Sequence, residues 1–179
     1  MADVDKIIDF LETDTVSATF SPKGLVFLSM RRDRGEQNIE LGQGGKDKQD
    51  SNMRLFIKET VNFIETGRHS MPLDFSSFTD FQRRVFKAVS EIEPGKVVTY
   101  KDVAETLGKP GAAQAVGNAV GKNPVAYFLP THRVIPQRGM AICRSGAGHL
   151  KDKLLEHEGH DLSKLRGNYV CTRKKCTME

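Results

Sequence analysis

Apolar and polar positions along this chain alternate first at strand spacing and then at helix spacing, with the change near residue 50. Residues 16 to 30 hold two β-prone runs on either side of Ser21-Pro22-Lys23-Gly24, which predicts a hairpin. Residues 33 to 52 are polar, rich in Gly, Asp, Lys and Gln, and lack an apolar period; a flexible loop is expected there. From Met53 to Thr66, Leu55, Phe56, Val61, Phe63 and Ile64 recur at helical spacing, so a helix is expected to cover the hairpin. Gly67 to Phe75, with Pro72 inside it, reads as a linker.

Beyond residue 75 the pattern is helical. Phe81, Val85, Phe86, Val89 and Ile92 line one face of a helix that Pro94-Gly95 must end. Val97-Val98 is a short extended piece, Thr99 is an N-cap for a helix from Tyr100 to Leu107, and Gly108-Lys109-Pro110-Gly111 is a tight turn before a helix from Ala112 to Gly121. Two short helices across a Gly-rich turn make a helix-turn-helix candidate. The second holds almost nothing large, and Gly costs roughly 0.5 to 1 kcal/mol against Ala inside a helix. Close approach to another surface must offset that cost, whether that surface is a neighbouring helix or a nucleic-acid groove. Residues 149 to 158 predict a further helix with Leu150, Leu154 and Leu155 inward. After Leu165 the chain reads as a polar tail. The domains expected are thus 1–75, 76–165 and a basic tail, 166–179.

Charge changes the picture more than total composition does. The 179 residues carry a net charge of +4, with 38% hydrophobic and 28% charged side chains, which fits a globular protein. Residues 1–80 hold 10 basic and 14 acidic side chains, 10 − 14 = −4, whereas residues 81–179 hold 17 and 9, 17 − 9 = +8. The second half is therefore suited to a polyanion. No long apolar run and no basic-then-apolar leader occur, so no membrane association is expected and the location is nuclear or cytoplasmic. The three cysteines, Cys143, Cys171 and Cys176, are an odd number in the last fifth of the chain, which fits a reducing compartment rather than a disulfide framework. With no paired histidines near Cys171 and Cys176, no metal site is expected.

From residue type alone the candidates for chemistry are Thr131, His132, Glu158, Tyr100, Asn123 and Arg144. A hydroxyl beside a histidine, with a carboxylate later in the sequence, supplies the parts of an activated nucleophile. An ordinary loop is the alternative. His157-Glu158-Gly159-His160 lacks the i, i+4 histidine spacing of a helical zinc site.

The order Gly95-Lys96-Val97-Val98-Thr99-Tyr100, Ala112-Ala113-Gln114-Ala115-Val116-Gly117, Lys122-Asn123-Pro124-Val125, Pro130-Thr131-His132-Arg133-Val134 and His157-Glu158-Gly159 resembles the O6-alkylguanine-DNA alkyltransferases from about Phe78 to Leu162. The resemblance implies an α/β N-terminal domain, a small antiparallel sheet plus a helix, followed by a mostly helical C-terminal domain with a winged helix-turn-helix-like DNA-binding motif. It implies minor-groove binding to duplex DNA, extrusion of the damaged guanine, and alkyl transfer to a cysteine without a cofactor. On that basis Tyr100, Ala113, Gln114, Ala115, Gly117 and Arg133 are DNA-binding positions. Asn123 braces the active-site turn. His132 and Glu158 are the pair that maintains a thiolate. Val134, Arg144 and Ser145 line the base pocket.

Position 131 is cysteine in that family and threonine here. A cysteine ionises near pKa 8.5 and an aliphatic hydroxyl closer to about 15.7, a gap on the order of 10 kcal/mol. Hydroxyl nucleophiles attack acyl carbons with help from an oxyanion hole, but displacement at an alkyl carbon has no such intermediate. Gln114 stands where the family usually has an arginine that enters the base stack. Relatives without the cysteine, the alkyltransferase-like proteins, bind O6-alkylguanine without removing it and signal to nucleotide excision repair. Some carry an arginine at the position of Arg144, although a phosphate contact would also account for it. The expected protein is a monomeric DNA-repair factor that recognises O6-alkylguanine in double-stranded DNA, with nucleotide excision repair proteins downstream. The alternatives are a methyltransferase in cysteine-to-threonine form, one that accepts the alkyl group on Cys143, and a helix-turn-helix regulator reading the major groove.

Overall fold

A computed structural model of the protein describes residues 2–11, 15–31, 38–42, 46–143, 146–172 and 175–178. Two compact units make up the chain, one of residues 1–78 and 124–128 and the other of residues 79–123 and 129–179.

In the first unit α1 (Ala2–Leu11) precedes β1 (Thr15–Ser21), β2 (Gly24–Arg31), β3 (Asn38–Gly42) and α2 (Lys46–Thr66). The predicted hairpin is β1–β2, antiparallel from Thr15 opposite Arg31 to Ser21 opposite Gly24, and β3 adds to β1 in parallel. Gly24 is required twice over. Its φ is +146°, and a Cβ there would lie 2.3 Å from the Pro72 carbonyl oxygen, which accepts the Leu25 N–H at 2.8 Å. Val16, Ala18 and Leu25 on the sheet, Ile7 on α1 and Phe56 and Phe63 on α2 are buried. Tyr127 enters the same core. Its hydroxyl lies 3.1 Å from that of Thr60, and burial pushes its pKa up.

Three expectations are corrected here. The polar stretch 33–52 contains β3, whose Ile39 is buried, and the first turns of α2, because Lys and Gln have good helix propensity even without an apolar stripe. The helix α1 had no counterpart in the sequence reading, although Ile7 and Leu11 stand one helical turn apart and are both buried. Gly67 to Phe75 is packed structure rather than a linker. Met71 is buried, Leu73 bridges Leu25 in parallel, the Ser21 hydroxyl donates to Asp74 at 2.5 Å and the Ser70 N–H to Glu59 at 2.5 Å.

The second unit begins with α3 (Asp80–Ser90), where Thr79 and Gln82 form a reciprocal capping box and Val85, Phe86 and Val89 face inward. β4 (Val98–Thr99) leads into α4 (Tyr100–Thr106), capped by a second box of Thr99 and Asp102, and α5 (Ala113–Val120) follows. β5 (Val134–Ile135) pairs in parallel with β4, Val98 opposite Val134. β6 (Met140–Cys143), α6 (Gly146–His157) and α7 (Leu162–Leu165) complete the core, with Ile135, Met140, Leu155 and Leu162 in one apolar cluster.

Residues beyond Leu165 are not a featureless tail. β7 (Arg166–Thr172) and β8 (Lys175–Met178) extend β6 into a three-stranded sheet of order β6-β7-β8. Tyr169, Val170, Thr172 and Thr177 are β-formers that the surrounding lysines and arginines disguise. Among the described residues no helix is long and apolar enough to cross a membrane.

Candidate functional site

Pro130 and the residues after it fold as a single 3-10 turn, Thr131–Arg133, closed by the Arg133 N–H on the Pro130 carbonyl at 3.0 Å. Such a turn sends consecutive side chains in different directions. Thr131 is partly buried, whereas His132 and Arg133 are 4% and 3% exposed. Asn123 braces the turn: its Nδ2 donates to the Leu129 carbonyl at 3.2 Å and to the Thr131 Oγ1 at 3.1 Å. The chain leaves this unit after Asn123 and re-enters at Leu129, so one amide ties both ends of the excursion to the threonine hydroxyl.

Behind the turn lies a buried ion cluster built on Glu158, at the end of α6. His132 Nε2 is 2.8 Å from its Oε1. Arg133 Nε donates to both carboxylate oxygens at 3.0 Å and its Nη2 donates to Oε1 at 2.6 Å. The Arg133 Nη1 donates to the Ile92 carbonyl at 2.6 Å, and the Gly95 N–H reaches Oε2 at 3.2 Å. Gly95 holds φ +74° there, a left-handed conformation in which glycine has no steric penalty.

Burial pushes the Glu158 carboxyl up, but hydrogen bonds from His132 and Arg133 and their charges outweigh it and hold the group at about 2. For His132, burial pushes the imidazole below its ordinary value, against the opposing pull of Glu158. At neutral pH this is a carboxylate beside a neutral histidine. A carboxylate only accepts, so Nε2 carries the proton and Nδ1 is the acceptor nitrogen. An imidazole in that tautomer can take a proton from a neighbouring acidic group. Lys151 approaches the same centre, donating to the Val134 carbonyl at 2.8 Å.

A second region is solvent-facing. Tyr100 and Lys101 at the start of α4, Ala113 and Gln114 at the start of α5, and Pro136, Gln137 and Arg138 in the turn before β6 line an open depression of about 590 Å³. Gln114 and Ala115 are exposed while Val116, Ala119 and Val120 face the core. The first reading, packing in the core, therefore holds for one face, and the other face is small-residued and solvent-facing. Gly117 lies against Tyr100, a Cβ at this glycine falling 3.9 Å from the ring. No side chain caps α5, whose N-cap is Ala112, so its first-turn amides are directed toward whatever lies ahead of the helix.

Thr131, Asn123, His132 and Glu158 thus come together around one turn, and Tyr100, Ala113 and Gln114 around one depression. The Arg133 guanidinium is turned to Glu158 and the Ile92 carbonyl, and Val134 is wholly buried. Arg144 and Ser145 lie outside the described residues. Lys101, Gln137, Arg138 and Lys151 were missed. The turn Pro136-Gln137-Arg138-Gly139 between two β-prone pairs was the available signal for the middle two.

The family described as the DNA-binding domain of 6-O-methylguanine DNA methyltransferase matches residues 80–160. A methylated-DNA–protein-cysteine methyltransferase of Shigella flexneri is 46% identical over 82 residues, covering 46% of this chain and 48% of its own length. This match therefore spans about half of that relative. The inducible methylated-DNA–protein-cysteine methyltransferase of Bacillus subtilis is 31% identical over 150 residues, 80% of this chain and 83% of that protein. Among solved structures, the OGT of Mycobacterium tuberculosis in complex with DNA is similar at TM-score 0.58 and 30% identity, over 85% of this chain and 95% of that one.

Proposed function

Because the chain belongs to the methylated-DNA–protein-cysteine methyltransferase family, we propose that it binds duplex DNA and recognises O6-alkylguanine without taking the alkyl group from it. The observation that carries the reading is the Thr131 turn itself. The Thr131 side chain is a hydroxyl, which accepts from Asn123 at 3.1 Å, and the next residue, His132, lies 2.8 Å from Glu158.

The chemistry separates two tasks. A neutral histidine can deprotonate a thiol, whose ordinary pKa near 8.5 is about two units above that of imidazole. The same histidine faces a gap of about nine units for an alcohol. No oxyanion forms at an alkyl carbon, so donors around the turn have nothing to stabilise that would close the gap. Binding, by contrast, needs only the exposed face. Tyr100 and Gln114 present an aromatic ring and an amide between Lys101 and Arg138. The uncapped start of α5 adds the amides that phosphate oxygens favour. Small side chains along its outer face permit close approach to a minor groove, and base extrusion costs least for a weakened pair. The protein acts, on this reading, as a monomer wherever the DNA is held, nucleus or cytoplasm, and hands the lesion to excision repair.

Retention of a duplex bearing one O6-methylguanine against a plain duplex tests the recognition. Preferential retention with unchanged intact protein mass is expected. Equal retention of both duplexes would refute it.

A further inference from the structure

Two exposed cations link α3 to the turn that joins α4 to α5. The Arg84 Nη2 donates to the Leu107 carbonyl at 3.1 Å, and the Lys109 Nζ stands 5.6 Å from the centroid of the Phe81 ring. Phe81 and Arg84 are one helical turn apart on α3 and share a face. The two links run in opposite directions: α3 supplies the cation in one, and the turn supplies it in the other.

The backbone of the turn shows why links at these two points matter. Gly108 holds φ +69°, its N–H reaches the Glu105 carbonyl, and the Lys109 N–H reaches the Ala104 carbonyl, each at 2.9 Å. These are the paired bonds of a glycine-terminated helix, and they engage the carbonyls of Ala104 and Glu105. The Leu107 carbonyl lies outside that pair and takes Arg84. Farther on, the Ala112 N–H closes on the Lys109 carbonyl and the Val116 N–H on the Ala112 carbonyl, both at 2.9 Å. The residue held over Phe81 is thus also the one from which α5 starts.

We propose that Phe81, Arg84 and Lys109 are positioning residues for DNA binding: they fix how α5 leaves the turn, and so the place of Ala113 and Gln114 beside Tyr100, and they do not contact phosphate. The proposal rests on the DNA binding proposed above. Charge and exposure alone assign Arg84 and Lys109 to phosphate, since both are exposed in the cationic half of the chain. The structure gives each a partner inside the protein instead, a carbonyl for the guanidinium and an aromatic face for the ammonium. Ala113 and Gln114 line the open depression together with Tyr100, so a shift of the start of α5 moves the surface a duplex would meet without removing a charge from it.

Titration of a plain duplex across a salt series tests this with Arg84→Met, Lys109→Met, Phe81→Leu and the double variant Phe81→Leu with Lys109→Met. Each single variant is expected to weaken binding about twofold to fivefold, with the slope of log affinity against log salt unchanged. The double variant should bind no more weakly than Lys109→Met alone, because the two residues act as one pair. Phe81→Leu decides most, since it leaves every charge in place. A slope lowered by about 1 in Arg84→Met or Lys109→Met, with Phe81→Leu binding as the unsubstituted protein does, would make the cations phosphate contacts and overturn the proposal. Amide exchange of the free protein needs no DNA. Ala112 and Val116 should exchange faster in the three single variants while Val85 and Val89 of α3 keep their rates, whereas a general loss of stability would speed all four. Unchanged exchange at Ala112 and Val116, or equal acceleration of all four, would overturn the positioning role; failure of the unsubstituted protein to bind the duplex would overturn both this role and the proposed function, and faster exchange confined to Ala112 and Val116 would then show only that the links hold the turn.

Discussion

Two polar regions of the second unit meet opposite environments. His132 and Arg133 are sealed against Glu158 at 4% and 3% exposure, while Tyr100, Lys101, Gln114 and Arg138 line a depression open to solvent. Both regions are polar and cationic, and sequence alone makes them alike. The difference is what each charge is matched with. In the buried cluster every hydrogen bond to the carboxylate is internal, so its contribution is to the shape of the Thr131 turn and the state of His132. In the depression Lys101 is exposed and lies 3.6 Å from the equally exposed Glu105, a solvent-facing pair that contributes little to stability. A motif arginine can thus be engaged inside the protein, as the Arg133 guanidinium is by Glu158.

Breaking the buried region has the largest expected effect. Arg133→Met leaves Glu158 without its bidentate partner, and removing one member of a buried pair costs roughly 3 to 5 kcal/mol. Urea unfolding measures this. A loss below about 1 kcal/mol would mean that the cluster is solvated rather than sealed. Lys101→Gln with Arg138→Gln should leave the unfolding free energy within about 0.5 kcal/mol. It should reduce the slope of log affinity against log salt by about 2, one per phosphate contact. An unchanged salt slope would remove the depression from the interface.

Smaller effects sharpen the same contrast. Gln114→Arg should tighten binding to duplex with O6-methylguanine by roughly 1 kcal/mol, about fivefold, if the residue meets the base stack. Unchanged affinity in a titration would argue that it does not. The acid limb of stability should report the buried cluster. His132 has a lowered folded pKa, so below its ordinary value of 6.5 the unfolded chain takes up a proton the folded one does not, and stability falls as pH falls from there. Glu158, held at about 2, contributes stability that is complete above its ordinary 4.5 and is lost as pH falls toward 2. His132→Gln should flatten only the shallow upper part of that limb. Equilibrium unfolding across pH 3 to 7 would show otherwise if the two limbs move together.

Much of this architecture was legible in the residues. Thr99 marked a helix start, and the hairpin turn at Ser21 to Gly24 set the register of β1 and β2, whereas the helix expected to run to Pro94-Gly95 ends earlier, at Ser90. The motif order also brought together Thr131, His132, Glu158 and Asn123. What escaped was structure whose signal is long-range. β3 lies in parallel against β1, a pairing that no local pattern specifies. β7 and β8 are short, charged strands that gain their order from β6. Met71 and Asp74, in a stretch that reads as a linker, are fixed by contacts with the β1–β2 hairpin. The pairing of Arg133 with Glu158, 25 residues away, was likewise invisible to local pattern.

The claim that Thr131 divides recognition from transfer is tested most directly by the intact mass of the unsubstituted protein and of Thr131→Cys after incubation with duplex carrying isotopically labelled O6-methylguanine. One labelled methyl on Thr131→Cys and none on the unsubstituted chain is the result predicted. A labelled methyl on the unsubstituted chain, or on neither protein, would contradict it.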